Sequence, residues 1–213
     1  MNKEITSITP PNQGWLDYRL NKKEMDYVWR CIENKKDNCK SILAGNITGS
    51  YNLMDRGDWF WMNVIAPLIN CYKLEFGNSL QQSIPTSNGH PLCLSRWWVN
   101  YQKQNEFNPI HNHNGVYSFV IWMKLPKDIG YKKQNRIKIS KNSNFPSVSA
   151  FAFLYNDILG DIRDHPFHLE PEDEGRMLLF PSQLRHVVYP FYNCDEERVS
   201  VSGNVVLNTN VKT

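Results

Sequence analysis

The chain has 213 residues, with 24 Lys and Arg against 21 Asp and Glu, so its formal net charge is only +3. This balance, without a run of basic residues, argues against a protein that binds nucleic acid in bulk through the phosphate backbone. The hydrophobic share of 41% is typical of a soluble globular protein. No run approaches the roughly 18 apolar residues of a membrane-spanning helix, so we expect no membrane span.

The cysteines indicate a reducing compartment. They are five in number and form no CxxC pair: Cys31, Cys39, Cys71, Cys93 and Cys194. This pattern predicts neither a disulfide framework nor a thiolate zinc site, and it favours the cytoplasm.

The first part of the chain has the periodicity of helices. Residues 22–38 carry apolar side chains at helical spacing, at Met25, Val28, Trp29 and Ile32. A second helix is predicted over residues 58–76, with Asp58 as its N-cap and with a kink or break at Pro67.

Beyond Leu92 the pattern changes to short apolar runs separated by turn residues. Seven strands are predicted, over residues 92–99, 116–125, 137–140, 149–155, 177–180, 185–189 and 198–207. We therefore expect an α+β fold that is mainly β, a sandwich or barrel with the helices packed outside. No linker separates the two parts. The sequence predicts one domain over residues 1–213, in which 1–90 mainly form helical support and 91–213 form the β-core.

The last predicted strand has one polar and one packing face. Because side chains alternate along a strand, Arg198, Ser200, Ser202 and Asn204 share a face opposite Val199, Val201, Gly203 and Val205. The polar face is either the solvent side of an edge strand or the lining of a functional site.

Three histidines have the spacing of metal ligands. His111 and His113 stand two residues apart, so on a strand both rings point to the same side. His186 lies in a later strand and can supply a third imidazole. Such a set leaves about half of a metal's coordination shell open.

These segments resemble a known enzyme family. The stretches 92–126, 178–191 and 198–204 are similar to the iron(II)/2-oxoglutarate-dependent oxygenases of the prolyl-4-hydroxylase-like group, and residues 42–55 resemble its short forms encoded by marine cyanophages and bacteria. The resemblance implies a double-stranded β-helix, or jelly roll, that binds Fe(II), 2-oxoglutarate and O2. It also implies an unidentified organic or peptidyl substrate, and the host cytoplasm as location if the gene is carried by a phage.

The family motif maps onto individual residues of this chain. The resemblance implies that His111 and His186 are metal ligands and that Arg198 holds the far carboxylate of 2-oxoglutarate. Guanidinium suits this role because it can donate two parallel hydrogen bonds and keeps its charge when buried. Ser200 and Tyr101 are expected to add hydroxyl donors to the same carboxylate.

The sequence departs from the family at His113, where relatives usually carry Asp or Glu. We expect His113 to be a metal ligand itself, giving three neutral imidazoles. His165 or His168 are alternatives as the third ligand. A loop carboxylate is another alternative, from Asp157, Asp161 or Asp164.

Two other functions stay open at this point. The chain could be a cupin-like module that binds a metal or ligand without turnover, or a three-histidine dioxygenase in which Arg198 binds a substrate carboxylate. Residues 126–136 and 156–171, rich in charge and turn formers, are expected to be lids over the site.

Overall fold

Two antiparallel β-sheets form the centre of the computed structural model, which describes residues 6–8, 12–84, 90–144 and 147–209. The larger sheet has the strand order β1-β8-β5-β10-β3-β2, and the smaller sheet has the order β4-β9-β6-β7. The strands are β1 (Leu16–Arg19), β2 (Gly49–Asn52), β3 (Leu92–Gln102), β4 (Asn108–His111), β5 (Tyr117–Lys124), β6 (Phe151–Asn156), β7 (Ile162–Phe167), β8 (Arg176–Pro181), β9 (Arg185–Val188) and β10 (Arg198–Leu207).

Most of the helical residues precede β3. The α-helices are α1 (Lys22–Glu33), α2 (Ala66–Phe76), α3 (Ser79–Gln82) and α4 (Tyr131–Gln134), and a π-helical turn (Trp61–Ile65) leads directly into α2. Short 3₁₀ turns cover Lys40–Ile42, Arg56–Asp58, Lys127–Ile129 and Pro171–Asp173. None of the helices within the described ranges is long and apolar enough to cross a membrane.

Helix α1 begins where the sequence predicts and ends earlier. The Asn21 side chain accepts a hydrogen bond from the backbone N–H of Glu24, whose carboxylate accepts one from the backbone N–H of Asn21. This capping box satisfies two backbone groups that a helix start leaves unpaired. Residues 34–38 are polar, and Lys36 donates its N–H to Asn52 in β2 instead of continuing the helix.

The start of the second helix differs from the prediction. Asp55, not Asp58, receives the free N–H groups, from Phe60 at 2.9 Å and from Trp61 at 2.8 Å. Asp58 lies in the 3₁₀ turn with a positive φ of 53°. The predicted irregularity at Pro67 is the π-helical turn before it, because proline has no N–H to continue the regular bonding pattern.

The larger sheet is covered on both faces, so the molecule has two apolar cores. On its outer face, side chains of α1 and α2 pack against alternate residues of the central strands, including Val28, Tyr72, Phe119 and Val201. The inner core lies between the two sheets, and its members include Trp122, Phe153, Phe167, Leu178 and Phe180. The expected mainly β fold with helices outside is therefore confirmed, and its two facing sheets form a jelly roll.

Six of the seven predicted strands are present. The prediction over residues 137–140 is wrong, because that segment folds into consecutive turns in which Ser140 donates its N–H to Ile137. Four strands were not predicted from the sequence: β1, β2, β4 and β7. All four lie at the sheet edges, where strands are short and half exposed. Both β4 and β7 contain a proline, which an edge strand tolerates because one row of its N–H groups has no partner.

β10 is a central strand, paired with β3 on one side and β5 on the other. Its polar face is therefore not the solvent side of an edge strand. Val199, Val201 and Val205 belong to the outer core, and the alternate polar residues line the space between the sheets. The polar face of a strand more commonly points to solvent, whereas in β10 it points inward and lines the functional site.

Gly203 is required for packing at the centre of β10. A Cβ atom there would lie 2.5 Å from the Phe119 ring and 2.8 Å from the Trp97 Cβ. Both neighbours are buried, and Trp97 is itself stacked on Phe60. We expect Gly203→Ala to lower the free energy of unfolding by about 1–3 kcal/mol, the usual cost of overpacking a core.

Denaturant unfolding of Gly203→Ala and of a control, Gly49→Ala in β2, measures this effect. A Cβ at Gly49 would come no nearer than 3.3 Å to its neighbours, so the control should lose much less stability. Equal stability of the two variants would contradict the packing argument.

Candidate metal centre

Three histidine side chains converge at one end of the space between the sheets. His111 in β4 is the register partner of His186 in β9, and His113 follows β4 by two residues. The ring centroids are 4.2 Å apart for His111 and His186, 4.9 Å for His113 and His186, and 5.2 Å for His111 and His113. One ring nitrogen of each lies within 4.8 Å of those of the other two, so the cluster can hold a metal ion.

Each imidazole has an oxygen close to its Nδ1 atom. His111 Nδ1 lies 2.7 Å from the Pro109 carbonyl, and His186 Nδ1 lies 3.0 Å from the Leu184 carbonyl. A carbonyl oxygen only accepts, so Nδ1 carries the proton in both rings and the lone pair is on Nε2. This is how metal-binding histidines are usually oriented by their surroundings.

His113 is oriented by a side-chain network. Its Nδ1 lies 2.8 Å from Asn204 Oδ1 on β10 and 3.2 Å from Ser118 Oγ on β5. Ser118 also contacts Asn204 at 2.9 Å and the buried Ser182 hydroxyl at 2.8 Å. The network leaves Nε2 of His113 available as a ligand, in the same tautomer as the other two rings.

Burial keeps all three rings neutral at pH 7. Desolvation, and to a smaller extent repulsion from the neighbouring imidazoles, lower the pKa of His186 to about 3 and that of His113 to about 4. Burial also lowers the pKa of His111. Neutral imidazole is the form that binds a metal, so proton competition for the cluster is weak near neutral pH.

The histidines open into a cavity of about 450 Å³. Its polar lining comes largely from the inner faces of β3 and β10, including Trp98, Asn100, Gln102, Ser200, Ser202 and Asn204. Among the residues that the structure describes, no Asp or Glu lines this cavity, whereas two arginines do, Arg96 and Arg198. Its electrostatic character favours an anionic ligand.

Arg198 is 1% exposed and lies in this cavity without an anionic partner among the described residues. Four hydrogen bonds engage its guanidinium, two to Gln102 Oε1 at 2.9 and 2.7 Å, one to the Ser149 carbonyl at 2.7 Å and one to the Tyr189 carbonyl at 3.0 Å. All of these acceptors are neutral, and burial lowers the pKa of Arg198 to about 10. A buried cation without a counter-ion is costly unless a ligand supplies the charge.

The other two predicted contacts of the cosubstrate have different positions. Ser200 lines the cavity on the same face of β10 as Arg198. Tyr101 lies on the opposite face of β3, opposite Val199 in register, and its ring packs 6.0 Å from Tyr51. The structure does not bring Tyr101 to the cavity, because only the even-numbered residues of β3 around it, Asn100 and Gln102, point inward.

The alternative third ligands lie elsewhere. Asp157 and Asp161 sit in the β6–β7 turn, where both pair with Arg163, and Asp164 is exposed on β7. His165 packs against Trp15 at 4.9 Å, and His168 stacks on Tyr131 at 3.8 Å. None of the five belongs to the histidine cluster or to the cavity lining.

The segments expected as lids do not contribute to the cavity lining. None of the described residues in the ranges 126–136 and 156–171 lines the cavity. Part of its wall comes from residues 42–45 and Ile47, before β2. The family resemblance of residues 42–55 was the available signal for this role. Asn204 was also missed as the partner of His113, although its place on the polar face of β10 was evident.

Solved structures with a similar fold share little sequence with this chain. A prolyl-4-hydroxylase from Pseudomonas putida aligns with a TM-score of 0.50 and 16% identity over 90% of this chain and 91% of its own. A 2OG-Fe(II) oxygenase family oxidoreductase from Burkholderia pseudomallei aligns with a TM-score of 0.50 and 13% identity, over 91% and 85%. At such low identity these similarities show the fold alone. No curated protein sequence matches the chain.

A family model identifies the chain more directly. The model of the 2OG-Fe(II) oxygenases matches residues 96–204, slightly more than half of the chain, and this range contains the three histidines and Arg198. The donor set fits such cofactors, because imidazole nitrogens suit Fe(II) and an unpaired buried guanidinium suits a carboxylate. The chain therefore belongs to the 2OG-Fe(II) oxygenases, oxidoreductases whose cofactors are Fe(II) and 2-oxoglutarate.

Proposed function

We propose that this protein hydroxylates an unidentified organic or peptidyl substrate, with O2 and 2-oxoglutarate as cosubstrates and succinate and CO2 as co-products. His111, His113 and His186 hold the iron in this proposal. The observation that carries it is the combination of a three-imidazole cluster and an unpaired buried arginine in one cavity. The narrower resemblance to the short cyanophage and marine bacterial forms stays a prediction.

The histidines supply three neutral nitrogen ligands with fixed orientation. The carbonyls of Pro109 and Leu184 hold the rings of His111 and His186, and Asn204 holds that of His113. Because these partners fix the unused nitrogens, the Nε2 atoms do not have to reorganise before metal binding. Three protein ligands leave room at the metal for cosubstrate and oxygen.

Arg198 is the proposed anchor for the far carboxylate of 2-oxoglutarate, with Ser200 as an additional donor. The carboxylate would replace the neutral Gln102 oxygen, which now bridges Nε and Nη2 of the guanidinium. That exchange compensates a buried positive charge, so it favours a dianionic cosubstrate over a neutral molecule. This preference supports 2-oxoglutarate as the ligand of Arg198.

The division of work follows from these positions. When bound, iron and 2-oxoglutarate supply the oxidising chemistry that converts a C–H bond of the substrate to C–OH. The chain's own residues orient the two cofactors, and aromatic side chains beside the histidines limit access of water. Phe151 and Phe180 pack 5.6 and 5.1 Å from the His186 ring, and Trp98 packs 5.8 Å from the His113 ring.

Anaerobic titration tests the proposed function. Fe(II)-loaded protein should develop a weak visible charge-transfer band when 2-oxoglutarate is added, as expected if the cosubstrate binds directly to the iron. Admission of air should then yield succinate. Iron binding without the band and without succinate would instead favour one of the two other functions, a binding module or a dioxygenase that does not use 2-oxoglutarate.

Arg198 and Gln102 give a prediction about the cosubstrate. Arg198→Ala should keep iron and lose most affinity for 2-oxoglutarate, because removing one partner of a buried charge pair costs about 3–5 kcal/mol. Gln102→Glu should also weaken binding strongly, because it places a permanent carboxylate within 3 Å of the guanidinium. The half-saturation of the charge-transfer band measures both effects.

The control for charge is Gln102→Met, which has similar length and removes the neutral acceptor of Arg198 without adding a carboxylate. It should lose less affinity than Gln102→Glu. Equal loss in the two variants would mean that Gln102 acts through packing alone. Unchanged half-saturation in Arg198→Ala would remove Arg198 from the cosubstrate site.

His113 gives a prediction about ligand number. His113→Asp should retain iron and measurable succinate formation, because a carboxylate at this position remains a ligand. His113→Ala leaves two protein ligands and should lose far more of both, since each lost ligand weakens the chelate. Bound iron and succinate yield, measured side by side, test the contrast.

A different pattern is expected if His113 only supports the other ligands. Its loss would then cost roughly 10–100-fold, as for residues that orient metal ligands, and Asp would be no better than Ala. Equal behaviour of the two variants would exclude His113 as a ligand.

A further inference from the structure

A second guanidinium lines the cavity near its opening. Arg96 on β3 is exposed, whereas Arg198 is fully buried, and both line the same cavity. In the proposed function, 2-oxoglutarate pairs with only one of these two arginines, Arg198. Arg96 therefore raises the question of a second anion in the site.

The backbone of β3 is irregular at this point. Asn204 pairs with Arg96, whereas Val205 pairs with Leu94, so Ser95 is an extra residue in β3. Such a β-bulge interrupts the alternation of side chains and changes the direction in which they point. Both Ser95 and Arg96 line the cavity as a result, which regular alternation would not allow.

Arg96 has no hydrogen-bond or ion-pair partner within the part of the chain that the structure describes. Its surroundings distinguish Arg96 from an ordinary solvated arginine, because the described cavity lining contains no carboxylate that could pair with it. The cavity opening thus has a net positive charge and a guanidinium that can donate two parallel hydrogen bonds.

The proposed metal centre lies at the Arg96 end of the cavity along β3. Arg198 pairs with Gln102 and Asn204 pairs with Arg96, so the two register positions are six residues apart, or roughly 20 Å along the strand. Asn204 contacts His113, and Trp98, the next inward-facing residue after Arg96, packs against the same ring. Arg96 is therefore close to the metal side of the cavity and far from the backbone position of Arg198.

The wall near Arg96 is partly apolar. Ile42, Leu43 and Ala44 line the cavity in the segment that follows Cys39. Cys39 lies close enough to Arg96 for the positive charge to oppose the burial-driven rise in the pKa of its thiol. A ligand at this position would contact both a cation and aliphatic side chains.

We propose that Ser95 and Arg96 bind the carboxylate of the primary substrate, and that this substrate is a small aliphatic carboxylic acid and not an internal residue of a polypeptide. The inference rests on the proposed function, because it takes the other guanidinium as the site of the cosubstrate. The cavity volume of about 450 Å³ is within the range for small ligands. Arg96 is a specificity-determining residue in this proposal.

Matched probes test the charge requirement without turnover. N-acetyl-L-leucine, N-acetyl-L-valine, N-acetyl-L-proline and hexanoate are compared with their carboxamides, which stand in for a peptide linkage. Dissociation constants are measured by saturation-transfer NMR on anaerobic protein loaded with Fe(II) and 2-oxoglutarate. At least one acid should bind about ten-fold or more tightly than its amide, the expected contribution of charged hydrogen bonds.

Variants then assign the preference to Arg96. Arg96→Gln should abolish the preference for acids, because it should weaken binding of the acid and leave binding of the amide unchanged. Arg96→Lys should retain part of the preference. The half-saturation for 2-oxoglutarate should stay the same in both variants. Arg136→Gln is the matched control, since Arg136 is exposed and outside the cavity lining.

Three results would overturn the inference: no acid binds, acid and amide bind equally to the parent protein, or Arg96→Gln keeps the preference. Weaker 2-oxoglutarate binding in Arg96→Gln would also overturn it, because Arg96 would then serve the cosubstrate. Succinate formation separates the two proposals. Preference for acids without any succinate in air would contradict the proposed function and leave the carboxylate site in place.

Discussion

The structure depends on the register of β10. This strand pairs on both sides, and its alternate residues face two different environments, the outer apolar core through Val199, Val201 and Val205 and the cavity through Arg198, Ser200 and Asn204. A shift of one residue would place the arginine against the helices and the valines in the cavity. Gly203 adds to this constraint, because the rings around it leave no room for a side chain. The alternation of apolar and polar residues along β10 thus positions the helices on one face of the sheet and the functional site on the other.

The cavity has an unusual charge composition for a metal site. Its three proposed ligands are neutral, and within the described residues its lining has two arginines and no carboxylate. A complex of Fe(II), one carboxylate ligand and dianionic 2-oxoglutarate has a formal charge of minus one, whereas the complex with the three proposed imidazole ligands would be neutral. The protein does not compensate the charge of Fe(II), so the dianionic cosubstrate must do so. We therefore expect binding of iron and of 2-oxoglutarate to reinforce each other more strongly than in enzymes with a carboxylate ligand.

The histidines and Arg198 have hydrogen-bond partners of two kinds. Around the histidines the partners belong to the protein: backbone carbonyls for His111 and His186, and the Ser118, Ser182 and Asn204 network for His113. Around Arg198 the protein supplies only neutral acceptors. The histidine side is preorganised, whereas the Arg198 side is left electrostatically incomplete, and that difference favours binding of an anion over water at Arg198.

The sequence by itself determined the elements whose signal is local. The alternation of β10, the helical stripe of α1 and the HxH pair each follow from spacing along one segment, and the family resemblance added the predicted roles of His111, His186 and Arg198. Edge strands β4 and β7 were not predictable, because prolines and polar residues obscure a pattern that only pairing with a neighbour stabilises. The same reason explains why Tyr101 was misplaced, why the cavity wall at residues 42–45 was missed and why Asn204 was not assigned to His113. Each depends on contacts between segments distant in the chain, and tertiary structure alone decides which faces meet.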